Sequence, residues 1–149
     1  MATAQDIFDE AMGLMDEVNE TTGETDTADT KEYKNRTLFI LNILRGELYP
    51  YSDTFVSNDR GIRPIADPIE DFDTPIDLDD YICETLMPYG LAAHLLLDEN
   101  PSAAAFFQQR YEELLRKLAR GLPVVSEDIV DVHFGNNDGY YEYDWIARW

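Results

Sequence analysis

The chain contains few of the residues from which most enzyme and metal sites are built. Its 149 residues include one cysteine, Cys83, and two histidines, His94 and His133. A single cysteine excludes an internal disulfide and the cysteine clusters of structural zinc sites. The histidines are far apart and form no His-Glu-x-x-His pattern, and the sequence has no glycine-rich phosphate loop, Gly-x-Ser-x-Gly elbow or Cys-His nucleophile arrangement. We therefore expect a protein that is not an enzyme and that needs no cofactor or metal.

Basic residues are also scarce. Lys and Arg number 11 against 31 Asp and Glu, which gives a formal net charge of -20. Such a charge repels nucleic acid phosphates and anionic membranes, so it argues against free-standing DNA binding. No Lys or Arg precedes Lys31, and the basic residues gather at 31–45 and 110–120. Two explanations stay open: the acidic first helix lies across the more basic helices, or the charge serves partner binding.

Long apolar runs are missing. The longest apolar window, residues 91–97, is much too short to span a bilayer. The first residues, MATAQDIFDEAMG, lack the basic region and apolar run of a signal peptide. An apolar share of 44% is nevertheless enough for the core of one domain of this length. We expect a soluble protein of a cytoplasm-like compartment, with no membrane partner.

The main pattern in the sequence is apolar spacing with helical periodicity. It predicts a first helix over 4–19 capped by Thr3 and a second over about 30–49 that is apolar around most of its circumference and therefore central. A third helix follows a cap at Asp77 or Asp79, and a fourth begins at Asn100-Pro101 and ends at Gly121. Pro88 and Gly90 predict a structural kink in the third helix. The expected fold is mainly α, a four-helix bundle-like domain over residues 1–121.

Two segments do not follow this pattern. Residues 50–78 contain several prolines with spaced apolar side chains, which predicts an ordered, irregular excursion over the bundle, with short strands conceivable near 55–65. Residues 122–149 form an extended aromatic tail, here called the C-terminal arm. Docking into another surface and folding back on its own bundle both remain open. The candidate docking residues of the arm are Ile129, Val132, Phe134, Tyr140, Tyr141, Tyr143, Trp145 and Trp149.

Three further features favour structural explanations. His94 lies among apolar neighbours and is predicted to be a partly buried helical histidine, and Cys83 a buried, inert thiol. The acidic run over residues 67–80 has carboxylates that suit a divalent cation, but it lacks the calcium-loop pattern. A solvated loop with a helix cap explains the run without a metal.

Residues 86–121, LMPYGLAAHLLLDENPSAAAFFQQRYEELLRKLARG, resemble a pattern of the head–tail connector proteins of tailed bacteriophages, also called adaptor or head-completion proteins. The matching pieces are MPYGLAA at 87–93, LLLDE at 95–99 and FFQQRYEE at 106–113. The order of acidic helix, apolar helix, proline-rich excursion, hairpin and extended ending is also similar to that family. The resemblance covers most of the chain, and its motifs are packing motifs.

The resemblance implies a structural virion protein at the head–tail interface, assembled in the host cytoplasm. It implies a homo-oligomeric ring of about a dozen copies beneath the portal, with heterologous contacts between neighbours. The ring would bind the portal protein through the arm and a tail or stopper protein on its other side, and DNA would pass through without tight binding. Our own hypothesis pairs two acids of one subunit with four basic residues of the next: Asp9 and Asp16 with Arg110, Arg116, Lys117 and Arg120.

Two other functions are considered. The first is an acidic DNA-mimic or inhibitor protein that binds a basic cleft on a host or phage protein. It would require carboxylates along one continuous face at phosphate-like spacing, and it would leave the aromatic arm without a task. The second is a small helical metal-dependent hydrolase, for which the paired His and Glu motifs are missing.

Overall fold

The computed structural model describes residues 1–55 and 64–121. These residues form four α-helices: α1 (Ala4–Met15), α2 (Lys31–Leu48), α3 (Met87–Leu95) and α4 (Pro101–Gly121). A 3-10 turn, Tyr49–Tyr51, extends α2, and a π-helical turn, Ile82–Leu86, precedes α3. The predicted mainly helical, bundle-like fold is confirmed. The C-terminal arm and its boundary with the bundle lie outside the described residues.

Local capping chemistry sets the start of α1. The backbone N–H of Asp6 donates to Thr3 Oγ1 (3.3 Å), and the N–H of Thr3 donates to Asp6 Oδ2 (2.8 Å). This is a capping box, and the hydrogen bonds from Thr3 lower the pKa of Asp6. The helix ends at Met15, four residues earlier than predicted, because Asp16 adopts the left-handed conformation at φ 61°. The N–H of Glu17 then bonds back to the carbonyl of Met12 at 2.9 Å.

The central helix is α3, so the prediction that α2 is central was wrong. α3 packs against α1, α2 and α4, and all of its residues except Tyr89 and His94 are buried. α2 instead leaves Phe39 73% and Ile43 52% exposed. The difference arises because α3 is apolar with small side chains on several sides, so three helices can approach it at once.

Gly90 lies where α2 and α4 come closest to α3. A Cβ atom at this position would lie 3.0 Å from Leu44 Cδ1 and 3.2 Å from Tyr111 Cδ2. Pro88 occupies the second position of α3, directly after the π-helical turn. The kink at Pro88 and Gly90 stays a prediction. The observed departure from α-helical geometry is the π-helical turn, a feature that often accompanies bends.

Residues 64–78 cross the bundle without forming a helix. The Asn42 side chain donates to the carbonyl of Ile69 (2.9 Å) and accepts from its N–H (3.0 Å), as a neighbouring strand would. Arg45 Nη1 donates to the carbonyl of Ala66. At the far end, the N–H of Ile76 donates to the carbonyl of Ala2 at 3.0 Å. The excursion is therefore held against both α2 and the start of α1. Most of the segment conceived as short strands, 56–63, lies outside the described residues.

Candidate functional site

The basic residues proposed to join neighbouring subunits lie on α4. Arg110 Nη1 is 3.3 Å from Glu113 Oε2, and Arg116 Nη2 is 3.2 Å from Glu112 Oε2. Each arginine therefore already has a carboxylate one turn away on its own helix. Lys117 lines a depression near Asp53 and Asp79, and Arg120 is exposed near the end of the helix. Exposed pairs of this kind contribute little stability, so these side chains can exchange partners at small cost.

The two acids proposed to meet them lie on or just after α1. Asp9 Oδ1 accepts from Gln5 Nε2 (2.7 Å) and Thr25 Oγ1 (2.5 Å), while Asp16 is exposed. Within residues 1–55 and 64–121, no ion pair joins α1 to α2 or α4. α1 packs mainly on α3 instead. The structure thus does not bring the two predicted groups together within one subunit.

Among the described residues, the carboxylates of α1 form no ion pair with α2 or α4. Partial burial raises the pKa of the Glu10 carboxyl, and the nearby carboxylates of Glu84 and Asp6 raise it further. A nearby negative charge disfavours the ionised form of the Glu10 carboxyl. The exposed carboxylates of α1 are accessible to a partner or to solvent.

Two carboxylates of the acidic run accept hydrogen bonds from backbone N–H groups two or three residues further along the chain. Asp71 Oδ1 accepts from the N–H groups of Asp73 (3.0 Å) and Thr74 (2.7 Å), and Asp79 Oδ1 accepts from Ile82 (3.0 Å). Asp79 therefore caps the third helical segment, one of the two residues predicted for this role. Across the described part of the chain, no three His, Cys, Asp or Glu side chains are grouped to hold a metal ion.

Cys83 and His94 differ in burial. Cys83 is fully buried, as predicted, and burial raises the pKa of its thiol to about 12. A thiol with such a pKa is poorly nucleophilic at neutral pH. His94 is exposed, so the prediction of partial burial was wrong. Its backbone belongs to the packed α3, but its side chain faces outward and lines two surface hollows.

The most distinctive surface of the described residues is a groove beside His94, here called the apolar trough. It follows residues 35–51 of α2 and its 3-10 turn; its other side is formed by His94 and Leu97 at one end and by residues 101–115 of α4 over the rest. Three connected hollows make it up, and the central one has a volume of about 560 Å³. Ile43, His94 and Leu97 line both the first and the central hollow, and Glu47 lines both the central and the last.

Large apolar side chains line the trough and remain exposed. Phe39 (73% exposed), Ile43 (52%) and Leu97 (59%) occupy one end, and Ile65 (72%) occupies the other. Scattered apolar side chains on a surface are ordinary, but a row of four along one groove indicates an interaction site.

The floor of the central hollow is made of small residues and one buried hydroxyl. Ala93, Ala104 and Ala105 leave room above the helices. Tyr111 is 3% exposed, and its Oη is buried with no hydrogen-bond partner of normal geometry among the described residues. Burial and the adjacent Glu47 carboxylate raise the pKa of Tyr111 above its ordinary value. A groove with an apolar wall and a floor of small residues suits the binding of a chain segment with large side chains.

The sequence of α2 contains a signal for the trough, which the prediction of a central helix overlooked. Phe39 and Ile43 are four residues apart and lie beside the stripe of Ile40 and Leu44, which faces the core. A helix with an apolar surface wider than one partner can cover requires a second partner. The sequence prediction instead assigned the whole apolar surface of α2 to the core.

No helix in the described ranges has the length and apolar content needed to cross a membrane. No family model, curated protein or solved structure matches this chain. The sequence resemblance and the surfaces of the bundle are the features that bear on function.

Proposed function

We propose that this protein is a head–tail connector subunit of a tailed bacteriophage. It forms a ring beneath the portal, joins head to tail and continues the DNA channel, and its place is the virion. The observation that carries the proposal is the resemblance over residues 86–121. That segment comprises α4 and α3, and the other three helices all pack against α3. A resemblance confined to a peripheral loop would carry less weight than one in the packing centre.

The charge distribution is consistent with this role. The chain carries a net charge of -20, and the acids of α1 have no ion-pair partners on α2 or α4 among the described residues. A channel wall rich in carboxylates repels phosphates, so DNA slides past without binding. Subunits of such a ring meet through two different faces.

Deleting residues 122–149 tests the proposed contact with the portal. We expect the truncated protein to lose at least about tenfold in affinity for purified portal particles of the same phage, because the deletion removes aromatic anchors worth more than 1.4 kcal/mol together. Cosedimentation with portal particles measures the affinity. Circular dichroism and thermal melting of the truncated protein serve as the control, since the described core ends at residue 118. Unchanged portal binding by a folded truncation would contradict the arm's role.

Charge reversal tests the proposed contact between subunits. We expect the double variant Arg116→Glu, Lys117→Glu to assemble on portal particles at least about tenfold more weakly, since it places like charges opposite Asp9 and Asp16. Lys31→Glu is the control: Lys31 is exposed at the start of α2, and its change reverses one positive charge on a different helix. Electron microscopy and sedimentation report assembly. Full assembly of the double variant would contradict the proposed pairing with Asp9 and Asp16. It would not contradict the proposed ring.

A further inference from the structure

We propose that the apolar trough is the docking site of the chain's own C-terminal arm. The inference concerns a contact within one subunit, and it does not depend on a portal or a ring. It is carried by the geometry of the trough, the position where α4 ends, and the composition of residues 122–149.

The trough has the dimensions of a bound chain segment. Its α2 side spans residues 35–51, which corresponds to about 25 Å of helix and 3-10 turn. About eight extended residues cover that distance at roughly 3.3 Å per residue. The arm has 28 residues, so it can fill the trough and still include a connecting stretch.

The arm begins next to one end of the trough. Ile43 and Pro101 line one hollow, and Tyr51 and Leu115 line the next, so α2 and α4 run in parallel. Tyr51 also lines a depression together with Leu118 and Gly121 at the end of α4. A chain that leaves Gly121 therefore starts beside the Tyr51 end of the trough. It needs only to reverse direction to run along the trough toward Phe39.

The composition of the arm matches the surface of the trough. The arm carries five large aromatic side chains within its last ten residues: Tyr140, Tyr141, Tyr143, Trp145 and Trp149. Aromatic side chains are the commonest anchors at binding surfaces. The small alanine side chains of the floor leave the central hollow open to large aromatic side chains.

Tryptophan fluorescence of the full-length protein tests the inference directly. The chain has two tryptophans, and both lie in the arm. We expect the emission maximum to be blue-shifted, and acrylamide quenching to be weaker, relative to a synthetic peptide of residues 138–149. In Ile43→Glu and Leu97→Glu, both properties are expected to return to the values of the peptide, because each variant places a charge in the trough.

Phe106→Glu is the matched control. Phe106 is 62% exposed, comparable with Ile43 and Leu97, so the same charge is introduced at an equally accessible apolar position. It is two residues from both Ala104 and Gln108, which line the trough, and therefore faces the opposite side of α4. We expect Phe106→Glu to retain the blue shift. Should either trough variant lose its helical circular dichroism, Phe39→Ser replaces it, since Phe39 is 73% exposed.

Three results would overturn the inference. The first is peptide-like emission in the unmodified protein. The second is an equal loss of blue shift in Phe106→Glu. The third is a blue shift that disappears on dilution together with dissociation of an oligomer, which would assign the trough to the arm of a second copy. None of these measurements involves a portal, so they are independent of the deletion experiment above.

Discussion

Phe8→Ala is expected to lower the free energy of unfolding by about 3 to 5 kcal/mol. Phe8 is fully buried in α1, and its ring makes an edge-to-face contact with Phe72 at a centroid distance of 6.1 Å. The ammonium of Lys34 lies 4.9 Å from the centroid of the Phe72 ring and 5.9 Å from that of Phe8. Truncation to alanine leaves a cavity and removes the contact that joins α1, α2 and the excursion.

Urea denaturation followed by circular dichroism measures this loss. Phe106→Ala is the matched control, because it removes the same side chain from a position that is 62% exposed and lies on the side of α4 away from the trough. Its effect on the free energy of unfolding is expected to stay within about 0.5 kcal/mol. Losses of similar size in the two variants would show that Phe8 is not part of the core described here.

Gly90→Val is expected to lower the free energy of unfolding by about 2 to 3 kcal/mol. An added Cβ atom already meets Leu44 at 3.0 Å and Tyr111 at 3.2 Å, and the two γ-methyl groups of valine extend further into the same space. α2 or α4 must then move away from α3, which opens gaps elsewhere in a densely packed interior.

Gly46→Val separates this packing effect from the change in helix propensity. Gly46 is an exposed residue of α2, and nothing lies within 4 Å of a Cβ atom built there. Valine is slightly better than glycine inside a helix, so stability should be unchanged or rise by a few tenths of a kcal/mol. A stable Gly90→Val variant would mean that the three helices are not held at the described distances.

Features decided by neighbouring residues were predictable from the sequence. The caps at Thr3 and Asn100 were identified correctly, Asp79 was one of two residues predicted to cap the third helix, and Asn100 Oδ1 accepts from the N–H of Ala103 at 3.1 Å. A cap requires only side chain and backbone within one turn, so the local sequence contains all the information. The early end of α1 was missed because the apolar spacing continues to Val18 while Asp16 has already turned into the left-handed region.

Features decided by the packing of whole helices were not predictable. Apolar periodicity shows that a helix has an apolar surface, but it does not say how many neighbours cover it. α2 therefore appeared central, whereas Phe39 and Ile43 remain exposed on it. The apolar trough depends on how α2 and α4 are placed on α3, and no short pattern encodes that placement. The candidate residues of the arm, from Ile129 to Trp149, lie outside the described residues.

The way the excursion is attached has a consequence for the order of folding. α3 and α4 are separated by five residues, so their contact closes a short loop and can form early. The bonds of Ile76 to Ala2 and of Phe72 to Gln5 join residues that are far apart in the sequence. Contacts of such high sequence separation form late, because the chain entropy lost in closing the loop is large. The helical hairpin would then act as the folding nucleus, and closure of the excursion over α1 would complete the native state.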